Sequence, residues 1–157
     1  MVEQTFSGDE TQLVVFKLDK EEYALSILQV QEIKRVTDIT RVPNAPDYIK
    51  GVLNLRGSIV PVIDLKKRLN LPNQDEQLYT DDTRIIFVRV DEITVGIIVD
   101  AVSEVAAIEQ HTIESTNDVL GTNENSFLSG VGKSGERLLI LLNTEMILGL
   151  GADAVKN

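Results

Sequence analysis

The sequence predicts a mainly β protein: two pseudo-repeated five-stranded β-barrels packed together, with short helices. Three observations predict it. Short apolar runs bounded by turn residues recur along the 157 residues, among them Leu13 to Leu18, Arg84 to Val90 and Leu138 to Leu142. Residues 51–65, GVLNLRGSIVPVIDL, set two nearly continuous apolar runs around the polar break Arg56-Gly57-Ser58. That pattern is a β-hairpin whose strands are covered on both faces. Finally, the first half of the chain returns, in order, in the second.

Residues 1–11 are polar and acidic and read as a flexible tail. Leu13 to Leu18 is a strand, Asp19 to Glu22 a turn, and Tyr23 to Leu25 the returning strand. Val30 to Ile33 fits either extended chain or a helical turn, because a short apolar pattern does not separate the two. Pro43 and Pro46 make Val42 to Pro46 a loop. The hairpin follows, with Gly57 supplying the positive φ of a short turn with a bulge. Asp64 then caps a helix over Leu65 to Leu69.

Asn70 to Asp82 is a polar connector. Arg84 to Val90 and Ile93 to Val99 form the next hairpin, turning at Asp91-Glu92, and Val102 to Ile108 is a further strand. The spacing allows a helix within Gln110 to Leu120 and a loop over Gly121 to Ser126. Val131 and Leu138 to Leu142 flank a turn at Lys133 to Glu136, and Asn143 caps a closing helix through Leu148 that Gly149 stops.

The repeat is visible residue by residue. Tyr23 to Ile33 matches Val95 to Val105 at an offset of 72, pairing Ala24 with Gly96, Leu25 with Ile97, Val30 with Val102 and Glu32 with Glu104. LVVFKL answers RIIFVRV, with Phe16 near Phe87. Downstream, Gly51-Val52 answers Gly130-Val131 and Ile63-Asp64 answers Leu142-Asn143, both at an offset of 79. Five short antiparallel strands curl into a small barrel more readily than they stay flat, which points to two SH3-like barrels. The expected lobes are about 12–70 and about 83–142, with a closing helix at about 143–149 packing back and a tail at 151–157. Neither unit covers enough apolar surface alone, so a shared interface and a groove along it are expected.

Composition narrows the function. The formal charge of −10 and pI near 4.5 oppose contact with phosphate backbones and anionic membranes. With no cysteine there is no disulfide framework, thiolate nucleophile or Cys-based metal site. No apolar run approaches membrane-spanning length and no signal sequence opens the chain, so a cytoplasmic protein is expected. Aromatic content of 4% and the lack of Trp disfavour base-stacking platforms and aromatic ligand cages.

No constellation supports catalysis, a cofactor or a metal. His111 is the single histidine and stands in a polar segment beside Glu109 and Glu114, more in keeping with a surface residue than with a base. Neither a GxSxG elbow nor a GxxxxGK[ST] loop occurs, and Gly130, Gly132 and Gly135 fall in a hairpin. The basic residues Lys66, Lys67 and Arg68 sit in the last turn of a short helix, where cations are favoured anyway. Arg56 differs, being a cation on a tight turn between apolar strands. It is either a recognition group or a solubilising turn residue.

The stretches Val30 to Leu65, VQEIKRVTDITRVPNAPDYIKGVLNLRGSIVPVIDL, and Val95 to Val105, VGIIVDAVSEV, resemble the CheW-type coupling proteins of bacterial chemotaxis. The resemblance runs from about Thr11 to Leu148, within a single CheW-like domain of about 12–150. It implies a non-enzymatic scaffold, cytoplasmic and recruited to membrane-associated receptor arrays, whose partners are chemoreceptor tips and the regulatory domain of the histidine kinase CheA. Carried over by position, Ile27, Val30, Glu32, Arg56, Val102 and Val105 would face receptors, and Val36, Thr40 and Gly51 would face the kinase. A second kinase contact would fall near Glu114 and Val119, in a segment that lacks the family's basic and aromatic residues. The competing readings are a CheW-like module cut from a longer CheV-like or CheA-like protein, a small hydrolase built on His111, and a nucleic-acid binder.

Overall fold

In a computed structural model of the chain, residues 10–71, 79–115 and 127–149 are described. The first repeat supplies β1 (Glu10–Leu18), β2 (Glu21–Ser26), a 3-10 turn (Ile27–Gln29), β3 (Val30–Arg35), β4 (Ile49–Leu55), β5 (Ser58–Asp64) and the short helix α1 (Leu65–Arg68). The second supplies β6 (Arg84–Val90), β7 (Ile93–Val99), β8 (Ala101–Glu109), a 3-10 turn (Gln110–Thr112), β9 (Glu114–Ser115), β10 (Leu128–Ser134), β11 (Arg137–Leu142) and α2 (Thr144–Ile147).

The strands form a six-stranded sheet, β8-β1-β2-β11-β10-β9, and a five-stranded sheet, β3-β6-β7-β5-β4. Two compact units correspond to them, one of residues 1–28 with 103–157 and one of residues 29–102. The expected lobes of about 12–70 and about 83–142 are therefore corrected. Hairpin β1–β2 sits in a sheet with β8–β11, and hairpin β6–β7 sits with β3–β5. Parallel pairing is the cause: β2 runs parallel to β11 and β5 parallel to β7. A tight turn cannot join parallel neighbours, so each partner comes from far along the chain.

Each unit nevertheless carries the repeat in full. Val62 opposite Gly96 in one sheet answers Leu141 opposite Ala24 in the other, in the same parallel register. The ladder slips between Ile49 and Gly51, and again between Leu128 and Gly130 at the matching place. The isolated bridge Thr40–Val52 answers the two-residue strand β9, whose Glu114 pairs with Val131. The two cores correspond as well: Leu13, Val15, Leu139 and Leu141 in one unit take the places of Ile85, Phe87, Val60 and Val62 in the other.

Turn chemistry explains the hairpins. Asp19 and Asp91 both hold φ +56°, a conformation that aspartate tolerates better than most residues. The β4–β5 turn has two central residues, with Leu55 opposite Ser58. Arg56 at φ +55° and Gly57 at φ +90° give it the left-handed pair of a type I′ turn. The bulge expected at that turn lies at the far end of β4 instead.

Both caps form as the sequence predicts. Lys67 N donates to Asp64 Oδ1 at 3.3 Å, and Met146 N donates to Asn143 Oδ1 at 3.2 Å. Three local expectations are corrected. Strand β1 begins at Glu10, inside the expected tail of residues 1–11, and leads into four consecutive buried residues, Leu13 to Phe16. The final turn is Gly135-Glu136, since Lys133 and Ser134 pair within β10 with Leu138 and Arg137. Within Gln110 to Ser115 the helical part is the 3-10 turn Gln110–Thr112 alone, and Glu114–Ser115 form β9 against β10; residues 116–120 of that expected helix lie outside the described residues. Val119, Gly121 to Ser126 and the tail at 151–157 lie outside the described residues.

Candidate functional site

The hairpin that dominates the sequence presents Arg56 at its tip. A type I′ turn puts both central residues in left-handed backbone, which Gly57 adopts freely and Arg56 only at a cost. Asn54 offsets it locally: its Oδ1 accepts the Gly57 backbone N–H at 2.8 Å. Arg56 Nη2 then donates to Glu32 Oε1 at 3.1 Å. The guanidinium side chain is 73% exposed and the carboxylate side chain 16% exposed. Glu32 lies on β3, at one end of the sheet order, and Arg56 on the β4–β5 hairpin at the other. The ion pair therefore bridges the two ends of one curled sheet with the arginine side chain still largely exposed.

The second unit has an analogous pair that the sequence alone does not reveal. Arg137, at the start of β11, donates through Nε and Nη2 to the two carboxylate oxygens of Glu22 on β2, at 2.9 and 3.0 Å. Its Nη1 also donates to Glu104 on β8. These bonds hold the Glu22 carboxyl below the usual carboxylate range and push the guanidinium up. Glu104 is the residue that the repeat matches with Glu32, so the matched glutamates both face an arginine at a hairpin end. That correspondence was the available signal.

The expected receptor-facing residues divide by unit. In the 29–102 unit, Val30 is half-buried beside Glu32 and Arg56, and Val102 is half-buried at the start of β8. In the other, Ile27 is half-buried, and Val105 stands 53% exposed on β8. None of them is a buried core residue. Leu28, passed over in the sequence, is 91% exposed in the 3-10 turn beside Ile27.

Around Gly51 the geometry is tighter. Thr40 and Val52 exchange two backbone hydrogen bonds, each 2.8 Å, so Thr40 is held against β4. A Cβ on Gly51 would come within 2.2 Å of the Thr40 carbonyl oxygen. Gly51 is buried and leaves room for the Thr40 carbonyl; Thr40 is exposed and Val36 half-buried. Val36 also packs on the core of its unit. Nearby, Arg41, Pro46, Asp47, Lys50 and Lys67 line a hollow of about 400 Å³. Glu114, the place of the expected second contact, is exposed on β9.

His111 Nε2 lies 3.3 Å from Glu109 Oε1, with both side chains mostly in solvent. Among the described residues, no group of three or more His, Cys, Asp or Glu could hold a metal ion. Nor is any described helix long and apolar enough to cross a membrane.

Comparison with known proteins places this geometry. A family model described as the CheW-like domain matches residues 12–151. The chemotaxis protein CheW of Klebsiella aerogenes is 40% identical over 87% of this chain and 81% of its own length. That of Bacillus subtilis is 39% identical over 87% of the chain and 85% of its own. A crystal structure of the scaffolding protein TtCheW from Thermoanaerobacter tengcongensis superposes with a TM-score of 0.76 at 38% identity, covering 85% of this chain and 88% of that one. The fold is thus mainly β, of the two SH3-like-barrel class that the repeat predicts.

Proposed function

The chain belongs to the CheW-like domain family and is a chemotaxis adaptor, and we propose that it joins the cytoplasmic tips of chemoreceptors to the histidine kinase CheA without catalysing a reaction. The observation that carries this reading is the exposed Arg56 anchored on Glu32 beside half-buried Val30. Receptor tips are helical, and a helix binds through a row of apolar contacts on one face, with charges at the rim setting orientation more than affinity. Within the 29–102 unit, Val30 and Val102 supply apolar contacts of that kind and Glu32 and Arg56 the charges; in the other unit Ile27 and Val105 are apolar candidates of the same kind. Their half-exposed state supports the assignment, since a residue spent on the core has nothing left to offer.

The kinase is assigned to the segment held over β4, with Val36 and Thr40 as contacts and Gly51 as its support. Glu114 supports a second kinase contact, because it occupies in the other unit the position that Thr40 occupies here. The protein then works in the cytoplasm, recruited to receptor arrays at the membrane. Co-sedimentation tests the whole proposal. The chain should bring CheA down with receptor-containing membranes, and CheA should stay in the supernatant without it. Equal sedimentation of CheA with and without the chain would overturn the adaptor reading.

A further inference from the structure

The unit of residues 29–102 is built from one continuous piece of chain, whereas the other needs two pieces, hairpin β1–β2 and the body of residues 103–149. Everything that holds the hairpin to that body is non-covalent. Tyr23 and Ala24 pair in parallel with Ile140 and Leu141, and β1 lies along β8. Glu22 receives Arg137 on both carboxylate oxygens. Leu13, Val15 and Ala24 share a core with Ala106, Ile108, Leu139 and Leu141.

Ahead of β3 the covalent leash is the 3-10 turn Ile27–Gln29, which contains no buried residue and leaves Leu28 91% exposed. The repeat adds a second, independent observation. In both units the first hairpin of one repeat completes the later strands of the other, in matching register. Exchange of this hairpin between two copies of one module is already written twice into a single chain.

We propose that two copies of this protein exchange their N-terminal hairpins, residues 10–28, to form a closed two-fold dimer in which the partner's Glu22 meets Arg137. Every contact between hairpin and body is reformed unchanged between chains. The balance between monomer and dimer then depends on concentration. The leash is three residues long, and lengthening a short hinge opposes exchange. The dimer carries every proposed binding face twice, which makes the adaptor bivalent.

The test uses two full-length variants, Glu22→Arg and Arg137→Glu. Each alone sets like charges against one another. In an exchanged heterodimer, one body regains the native Glu22–Arg137 pair and the other holds the same pair reversed. After mixing at several hundred micromolar, partial unfolding in urea and refolding, native mass spectrometry should show a heterodimer of twice 17.4 kDa. It should melt above both parents.

A parallel experiment needs no destabilised variant. Isotope-labelled and unlabelled wild-type chains, refolded together, should give mixed dimers, and four glycines inserted after Leu28 should lower the dimer fraction at least tenfold. Monomers alone in the wild-type mixture, or dimers insensitive to the glycine insertion, would overturn the proposal.

Discussion

Gly51 and Thr40 are packed so closely that the carbonyl oxygen of one occupies the space where the other would carry a side chain, 2.2 Å from an ideal Cβ. Paired backbone bonds at 2.8 Å between Thr40 and Val52 fix that approach. Gly130 repeats the arrangement, with its Cβ position 2.7 Å from the Glu114 carbonyl oxygen. Both glycines sit beside a ladder slip, where close backbone approach is expected.

Gly51→Asp should therefore push Thr40 off β4. The expected result is at least a tenfold loss of CheA binding in calorimetry, while far-UV circular dichroism stays near wild type. Unaltered affinity would remove this segment from the kinase surface.

Arg56→Ala should weaken recruitment to receptor membranes several-fold and leave binding to purified CheA nearly unchanged. Loss of an exposed ion pair costs stability only about 0.5 kcal/mol, so a shift of melting temperature larger than a few degrees would point to a structural role instead. Glu32→Gln should give a milder form of the same defect. It keeps a hydrogen-bond acceptor for Arg56 but removes the charge.

Arg137 makes an acid-sensitive contact. The Glu22 carboxyl is lowered by hydrogen bonding to Arg137, with the opposing cost of burial. Its stabilising contribution is present above the unfolded value of about 4.3 and is lost as pH falls through the lower folded value. Arg137→Ala should accordingly cost about 1 kcal/mol at neutral pH and flatten the fall in stability on acidification below about 4.3. Urea denaturation at several pH values measures this. A variant whose stability falls with acid as steeply as the wild type would show that Glu22 does not carry the effect.

The two cores solve one packing problem with different sizes. Val15 pairs across the strands with Ala24, and Phe87 with Gly96. A Cβ on Gly96 would lie 2.8 Å from Ile85 Cγ2 and 3.1 Å from the Phe87 ring. Gly96→Ala should cost about 2 kcal/mol by overpacking. The double change Gly96→Ala, Phe87→Val should recover only part of that, since the Ile85 contact remains and a smaller residue replaces Phe87. Thermal melts of the two single variants and the double variant measure the coupling, and strict additivity would contradict the shared-volume argument.

Much of this protein was legible from local chemistry. Most strand spans, the Asp64 and Asn143 caps and the Asp91-Glu92 turn depend on residues close in sequence, where turn propensity and apolar runs act directly. The paired glutamates Glu32 and Glu104 were visible as matching positions. What each would meet was not, because Arg137 stands 33 residues from Glu104 and 115 from Glu22.

The sequence by itself determined that there are two similar repeats of short strands, each ending in a capped helix; the short sixth strand of the second, β9, came from the structure. Only the tertiary structure decided which hairpin completes which sheet. A repeat states which strands are alike, but parallel pairing between distant strands leaves no mark at short range. The exchange of β1–β2 and β6–β7 became visible only where Ala24 lies beside Leu141 and Gly96 beside Val62.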